Sequence, residues 1–200
     1  MLKRAFDLLG ALGGLIVLSP LLIGVALAIK ILMPGPVFFP QVRVGRYGVP
    51  FRIFKFRTMS GEQPKNGPIL TIGADPRITP LGHFLRESKI DELPQLLNVL
   101  RGEMSLVGPR PEVQKYVDTW TAEQKEVVLS VRPGLTGPAS VKFHDQTALL
   151  AQYADPEKAY IEVILPEKLR LCMDYVRKGT VLTDISLIIR TILTLMGLKR

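Results

Sequence analysis

A chain of 200 residues is long enough to bury one real core, and a hydrophobic share of 47% is high for a purely soluble domain. The net charge of +8 is crowded into residues 1 to 57, where Lys3, Arg4, Lys30, Arg43, Arg46, Arg52, Lys55 and Arg57 stand against Asp7 alone. Basic side chains beside an apolar segment point to lipid headgroups and substrate phosphates, and because they are not interleaved with aromatics as in a single-strand groove, no nucleic-acid partner is expected.

Lys3 and Arg4 precede the apolar run LLGALGGLIVLSPLLIGVALAI, from Leu8 to Ile29. At about 1.5 Å per residue this run just suffices to cross a bilayer core, so a simple transmembrane helix is one reading. Pro20 at its middle has no N–H for the carbonyl of Ile16, which predicts a kink, and Ser19 is placed to bond back to the carbonyl of Leu15. Lys3 and Arg4 on one flank, with Lys30, Arg43 and Arg46 on the other, pull both ends to the cytoplasm. A re-entrant hairpin that enters and leaves by one leaflet satisfies both flanks, and on sequence alone hairpin and span both stay open. A signal peptide, suggested by Lys3-Arg4 and by Ala26-Leu27-Ala28, is disfavoured because the apolar core is too long and is broken by proline.

Pro34-Gly35-Pro36 turns the chain into two β-prone runs, VFFPQVRV and PFRIFKFRTM, separated by Gly45 and Gly48. They are expected to pair as a small hairpin, with Pro40 confining the first to an edge. Alternation puts Phe51, Ile53 and Lys55 on one face and Arg52, Phe54 and Phe56 on the other. Residues 60 to 77 are rich in Gly and Pro and read as a surface loop, without the glycine spacing of a phosphate-binding or dinucleotide motif. His83 and His144 lack metal-ligand spacing.

From Arg86 to Pro111 the chain reads RESKIDELPQLLNVLRGEMSLVGPRP. Asp91 as N-cap would place Pro94 in the first turn of a helix continuing through QLLNVL, and Ser88 with Asp91 also has the spacing of a capping box. Adjacent helical residues point about 100° apart, so Asp91 and Glu92 are expected to hold distinct roles rather than share a proton. Arg86 before the acids, and Arg110 fixed between Pro109 and Pro111, are suited to phosphate, and a helix N-terminus favours an anion.

Further on, Thr121 and Gln124 make a capping box for a helix ending near Ser130, and RPGLTG at 132 to 137 reads as a turn. Asp155-Pro156 starts another helix, interrupted by Pro166 and ended by Gly179. Cys172, the one cysteine, excludes an internal disulfide and reads as a small buried apolar group. The last helix, from about Asp184 to Leu198, has a narrow polar stripe of Ser186, Arg190, Thr194 and Gly197. Its wide apolar remainder should pack on protein or lie in a lipid interface, with Lys199 and Arg200 reaching headgroups.

These words, in this order, resemble one family. KRAFDLLGA, GPVFFPQVRVGRYG, FKFRTM, DPRITPLGHFLR, DELPQLLNVLRGEMSLVGPRP and RPGLTG are similar to the bacterial sugar transferases, in particular the small monotopic phosphoglycosyl transferases. Glu87 stands where a basic residue is frequent in the family and Ile90 where leucine is usual, and neither change removes a reactive group. The segment after Gly137, PASVKFHDQTALL, carries less of the likeness.

The resemblance implies an α/β fold, mainly helical with a small β-hairpin, forming a single membrane-associated monotopic domain over 1–200. Its parts would be a re-entrant helix-break-helix at 1–33 around Ser19-Pro20, with Lys3 and Arg4 at its membrane flank, a catalytic part at 34–180, and an amphipathic interfacial helix at 181–200. It implies transfer of a sugar-1-phosphate from a UDP-sugar to polyprenyl (undecaprenyl) phosphate, releasing UMP, on the cytoplasmic face of a bacterial inner membrane, with downstream glycosyltransferases as further partners. Asp91 would be the nucleophile. Glu92 would bind metal, position the acceptor or handle its proton, and Asp91 and Glu92 are both candidate ligands for Mg²⁺. Arg86, Pro109, Arg110 and Pro111, together with Lys55 and Arg57, would contact phosphate or nucleotide. Two other classes share these features: a membrane-bound metal-dependent hydrolase of nucleotide-diphospho substrates, and a noncatalytic membrane scaffold.

Overall fold

The computed structural model describes residues 2–61 and 75–198. The stretch from 62 to 74, most of the expected surface loop, lies outside them, as do Lys199 and Arg200. Among the described residues the chain is mostly helical, with two small two-stranded sheets.

The first helix, α1, spans Leu2–Leu32 and is the one helix among the described residues long and apolar enough to cross a membrane. It is helical through Pro20, without the break expected there, and Ser19 serves a different acceptor from the one expected. The Ser19 hydroxyl donates to the carbonyl of Ile16 at 2.8 Å, the acceptor that Pro20 leaves unserved, rather than to Leu15. One side of α1 is packed along its length. Ala11, Leu15 and Leu18 join a core with Leu96, Val99, Met104, Phe51 and Ile53. Val25, Ile29 and Met33 join another with Phe56 and Leu85. The opposite side leaves Leu9, Ile16, Val17, Ile23, Leu27 and Ile31 exposed, an apolar stripe too long for water to tolerate comfortably.

Both ends of α1 are tied to the same body. Near the start, buried Asp7 accepts from the Ser105 hydroxyl at 2.9 Å and the Leu106 N–H at 3.0 Å. Lys3, expected to meet headgroups, instead donates to Asp184 at 2.6 Å and to the Val107 carbonyl at 3.0 Å, and Arg4 donates to the Leu100 carbonyl at 3.3 Å. At the far end the Arg57 guanidinium donates to the carbonyls of Met33 and Pro34, just past the last turn, where helix carbonyls lack partners.

The expected hairpin forms from β1 (Gln41–Val44) and β2 (Pro50–Ile53), antiparallel with Val42 opposite Arg52, and Phe38 bridges Phe56 beyond it. Regular alternation stops at Ile53. Phe54 N–H is taken by the Asn98 side chain at 2.9 Å, and Phe56 turns into the core instead of sharing an outer face with Arg52.

Helix α2 (Pro80–Glu87) is capped by the Thr79 side chain on Gly82 N–H. A 3₁₀ helix over Ile90–Gln95 leads into α3 (Leu96–Arg101), which ends at Gly102 with φ 82°, a left-handed terminus that glycine adopts without strain. Strand β3 (Ser105–Val107) follows, then α4 (Gln114–Val117) and α5 (Ala122–Val128), the latter with the Thr121–Gln124 capping box in place. RPGLTG is not only a turn. Gly134–Thr136 forms β4, parallel to β3, and Gly134 lies so close to the backbone of Gly108 that a Cβ would collide with it. Close approach of backbones, a signal read as turn chemistry in sequence, is the physical reason for glycine there.

Helices α6 (Pro138–Lys142), α7 (Gln146–Leu150) and α8 (Pro156–Ala159) precede a π turn over Tyr160–Ile164. The π turn absorbs the interruption expected at Pro166, which falls in the first turn of α9 (Leu165–Lys178), where its missing N–H costs little. The core beneath these helices gathers Tyr116, Trp120, Val128, Leu150, Tyr160, Ile164, Leu169 and Cys172. Burial pushes the Cys172 thiol up to about 12, as expected of a structural cysteine. Helix α10 (Val181–Leu195) is anchored by buried Asp184 and Leu187 and leaves Leu182, Ile185, Ile189, Ile192 and Leu195 exposed.

Candidate active site

Two loops and two short helices bring the acids together. The strand end after β2 is stapled to α3 by Asn98, which is fully buried. Its amide oxygen accepts from Phe54 N–H, and its amide nitrogen donates to the Arg52 carbonyl at 2.8 Å and to Glu103 at 2.7 Å. Two residues on, Phe56 N–H donates to the Asp91 carbonyl at 2.9 Å. These backbone ties carry Lys55 to the acids.

Asp91 does not cap a helix. The N-cap of the 3₁₀ helix is Lys89, held left-handed at φ 57°, ψ 15°, and the Ser88 hydroxyl bonds back to the carbonyls of Phe84 and Leu85 instead of forming a capping box. A left-handed non-glycine residue is uncommon, and here it aims the following acids inward. The Asp91 side chain is 1% exposed and its Oδ2 lies 2.7 Å from Lys55 Nζ. That approach is an ion pair by distance without an aligned hydrogen bond, so neither Asp91 oxygen has an aligned donor among the described residues. A buried carboxylate is ordinarily covered by donors. This one has the Lys55 ammonium as an ion-pair partner on Oδ2 and no aligned donor on Oδ1.

Glu92 is in the opposite condition. Arg110 grips it with two parallel bonds, Nη1 to Oε2 at 2.8 Å and Nη2 to Oε1 at 2.5 Å, with Lys55 3.7 Å from Oε1. Burial opposes ionisation of Glu92, yet Arg110 and Lys55 together hold its carboxyl well below the usual carboxylate range, and Glu92 in turn drives the Arg110 guanidinium upward. One acid is thus locked as a charged clamp while its neighbour stays open. The two adjacent acids thus have different surroundings, in a local helix that is 3₁₀ and not α.

The other candidate residues divide. Arg86 donates to Thr58 Oγ1 at 2.8 Å, and burial pulls its guanidinium below the ordinary arginine value against the opposing charge of Asp91. Pro109 and Pro111 frame Arg110 through their carbonyls, which accept from Gly134 N–H at 2.8 Å and from Arg43 at 3.1 Å. Arg57 is not brought to the acids: its guanidinium is spent on the end of α1. Lys3 and Arg4 are likewise internal ties, and Ser19 and Pro20 lie mid-way along α1.

Beside the acids opens a cavity of about 900 Å³. Its lining includes the charged residues Lys89, Glu92 and Arg110, an apolar part from Gly10, Gly14 and Leu18 of α1 with Ile188 and Ile192 of α10, and the polar residues Ser140, His144, Gln146 and Lys168. Neither Asp91 nor its ion-pair partner Lys55 is part of the lining. Lys89, Asn98 and the Ser140–Lys168 group are absent from the sequence-derived candidates. Only the left-handed backbone of Lys89 has no sequence signal, since the others are polar residues inside apolar surroundings.

Mg²⁺ can be tested against these groups. No set of three or more metal-type side chains gathers among the described residues, and both Glu92 oxygens are engaged by Arg110. The Asp91 oxygens, which have no aligned donor, fit one ligand position of an ion that takes its other ligands from phosphate and water.

The family described as bacterial sugar transferase matches residues 1–197. The chain is 43% identical over 142 residues to the UDP-N-acetylgalactosamine-undecaprenyl-phosphate N-acetylgalactosaminephosphotransferase of Aeromonas hydrophila, covering 70% of this chain and 34% of that protein. It is 37% identical over 196 residues to the UDP-glucose:undecaprenyl-phosphate glucose-1-phosphate transferase of Caulobacter vibrioides, covering 97% and 69%. The protein of the same description from Escherichia coli K12 is 35% identical over 197 residues, covering 96% and 39%. The chain therefore spans about a third of the length of the Aeromonas relative and more than two thirds of the Caulobacter one.

Proposed function

Because the chain belongs to the bacterial sugar transferase family, we propose that it transfers a sugar-1-phosphate from a UDP-sugar to polyprenyl phosphate through a phosphosugar-aspartate at Asp91. One observation carries this reading: a buried carboxylate with both oxygens lacking an aligned donor, set against a cation that can exchange partners. In the first step an Asp91 oxygen forms a bond to the phosphorus bearing the sugar, and the bond from that phosphorus to the bridging oxygen breaks, releasing UMP. In the second, an oxygen of polyprenyl phosphate bonds to the same phosphorus and the acyl phosphate bond breaks, restoring the Asp91 carboxylate. Lys55 shifts from Asp91 to the incoming diphosphate, which uncovers the nucleophile only when a donor is present. Arg86 supports the same phosphate. Arg110, already paired, is positioned by Glu92 to meet phosphate with its remaining donors. Mg²⁺, held by Asp91 with the substrate's phosphates, would neutralise the crowded oxygens.

The apolar part of the cavity lining, from α1 and α10, suits the acceptor's chain, and the exposed apolar stripes of the same helices suit a bilayer. Both ends of α1 bind one body, so a crossing of the roughly 30 Å hydrocarbon core is disfavoured and a monotopic, re-entrant placement is the reading we adopt. Single cysteines at Leu2 and Ile31, both exposed, should then react with an impermeant maleimide from the same face of oriented inner-membrane vesicles, while buried Cys172 stays silent. Labelling of the two sites from opposite faces would establish a span.

The activity itself is checked by UMP release from a panel of UDP-sugars with Mg²⁺ and polyprenyl phosphate. At least one donor should give UMP and a lipid-linked sugar in equal amounts. UMP with free sugar phosphate and no lipid product would indicate a hydrolase, and no UMP from any donor would indicate a scaffold.

A further inference from the structure

The segment after Gly137 supplies Ser140, His144 and Gln146 to the cavity lining. It faces a charged group that the transfer chemistry does not use. Glu112, buried, accepts from the Tyr160 hydroxyl at 2.5 Å and from Lys168 at 3.0 Å, with Arg43 3.8 Å away on its other oxygen. Lys168, also buried, donates onward to Gln146 Oε1 at 3.2 Å. Glu112 is two residues along the chain from Arg110, so one short segment supplies both the Glu92 clamp and the partner of Lys168.

Burying an ion pair of this kind rarely gains stability over apolar packing of equal volume, which leaves orientation as its physical use. An ammonium has only hydrogens to offer, so Lys168 fixes the Gln146 amide with its oxygen inward. The amide nitrogen, with two N–H donors, has no acceptor among the described residues and belongs to a residue on the cavity wall. Ser140 Oγ in the same lining is buried and without a partner. Because Glu112 neutralises Lys168, Gln146 and Ser140 present neutral donors and a hydroxyl, whereas Lys89, beside an Arg110 paired to Glu92, leaves one net positive charge in the lining. One cavity therefore offers partners both to an anion and to a neutral polyol.

We propose that Gln146 and Ser140, with Gln146 oriented by the Glu112–Tyr160–Lys168 contacts, form the subsite that reads the hydroxyl or acetamido groups of the donor sugar. The assignment rests on the transferase reading for the identity of the ligand as a UDP-sugar. Gln146 and Ser140 are binding residues, and Lys168 and Glu112 are positioning residues acting through Gln146. A site built to hydrogen-bond a substrate group discriminates strongly against donors that lack it, because its own polar groups are then left unpaired.

The test is equilibrium binding of UDP-glucose, UDP-galactose, their two N-acetylamino counterparts and UDP to the full chain in nanodiscs, for wild type, Gln146→Ala, Gln146→Asn and Ser140→Ala. Gln146→Ala should weaken the best-bound UDP-sugar by about tenfold, the equivalent of one good hydrogen bond, and leave UDP within about twofold. Gln146→Asn should recover part of the loss. Equal weakening of UDP and every UDP-sugar, or no change in any, would overturn the subsite. The transfer reading stands or falls separately, on whether the wild type releases UMP from any of the same donors.

Discussion

Asp91→Asn should lower UMP release by about 10⁴-fold or more with the fold intact, the scale seen when a nucleophile is removed from an otherwise complete site. Asparagine matches aspartate in shape and presents no anionic oxygen to phosphorus. Lys55 loses its nearer carboxylate but keeps Glu92 at 3.7 Å, and its side chain is 21% exposed, so water can take the ammonium. The melting temperature in nanodiscs should therefore stay close to that of the wild type, so the lost activity cannot be assigned to unfolding. Turnover within tenfold of wild type would move the nucleophile to another residue.

Arg110→Ala has the second largest expected effect and a different signature. Removing one partner of a buried, doubly hydrogen-bonded pair leaves Glu92 charged and unpaired on that side, a class of change that costs about 3–5 kcal/mol when fully buried, less here because the guanidinium is partly exposed. Turnover should fall about 10²–10³-fold through loss of a phosphate contact and of the Glu92 clamp. The acid limb of stability separates this ion pair from general damage. The folded-state Glu92 carboxyl is depressed below its ordinary 4.5, so the wild type keeps the pair's contribution above that pH and loses it as pH falls through the depressed value. Arg110→Ala removes most of the depression, and its stability should decline less steeply below pH 4.5. Parallel acid limbs in the two proteins would show that Arg110 does not set the Glu92 charge.

Much of this site was legible as ordered residues and little of it as geometry. Asp91 and Glu92 stand out as adjacent acids before Pro94, Arg110 as an arginine between two prolines and Lys55 through the family resemblance, and the hairpin follows from β-prone runs around Gly45 and Gly48. The division of labour between the acids was not legible, because it depends on which oxygens meet donors. Arg57 looked like a phosphate contact on the strength of its neighbours and proved to cap the end of α1, while Lys3 looked like a lipid contact and proved to neutralise buried Asp184. Charge type is written in sequence, but partner choice is set by tertiary approach. The parallel pairing of Ser105–Val107 with Gly134–Thr136 was hidden for the same reason: two three-residue strands 27 residues apart carry no periodicity of their own.

The most direct measurement is intact-protein and peptide mass spectrometry of the wild type after incubation with UDP-sugar and Mg²⁺ in the absence of any polyprenyl phosphate. A sugar-phosphate adduct should appear on the peptide containing Asp91, matched by an equal amount of UMP and discharged when polyprenyl phosphate is added. Formation of UMP only when donor and lipid are present together, with unmodified protein at every time point, would contradict a covalent aspartyl intermediate.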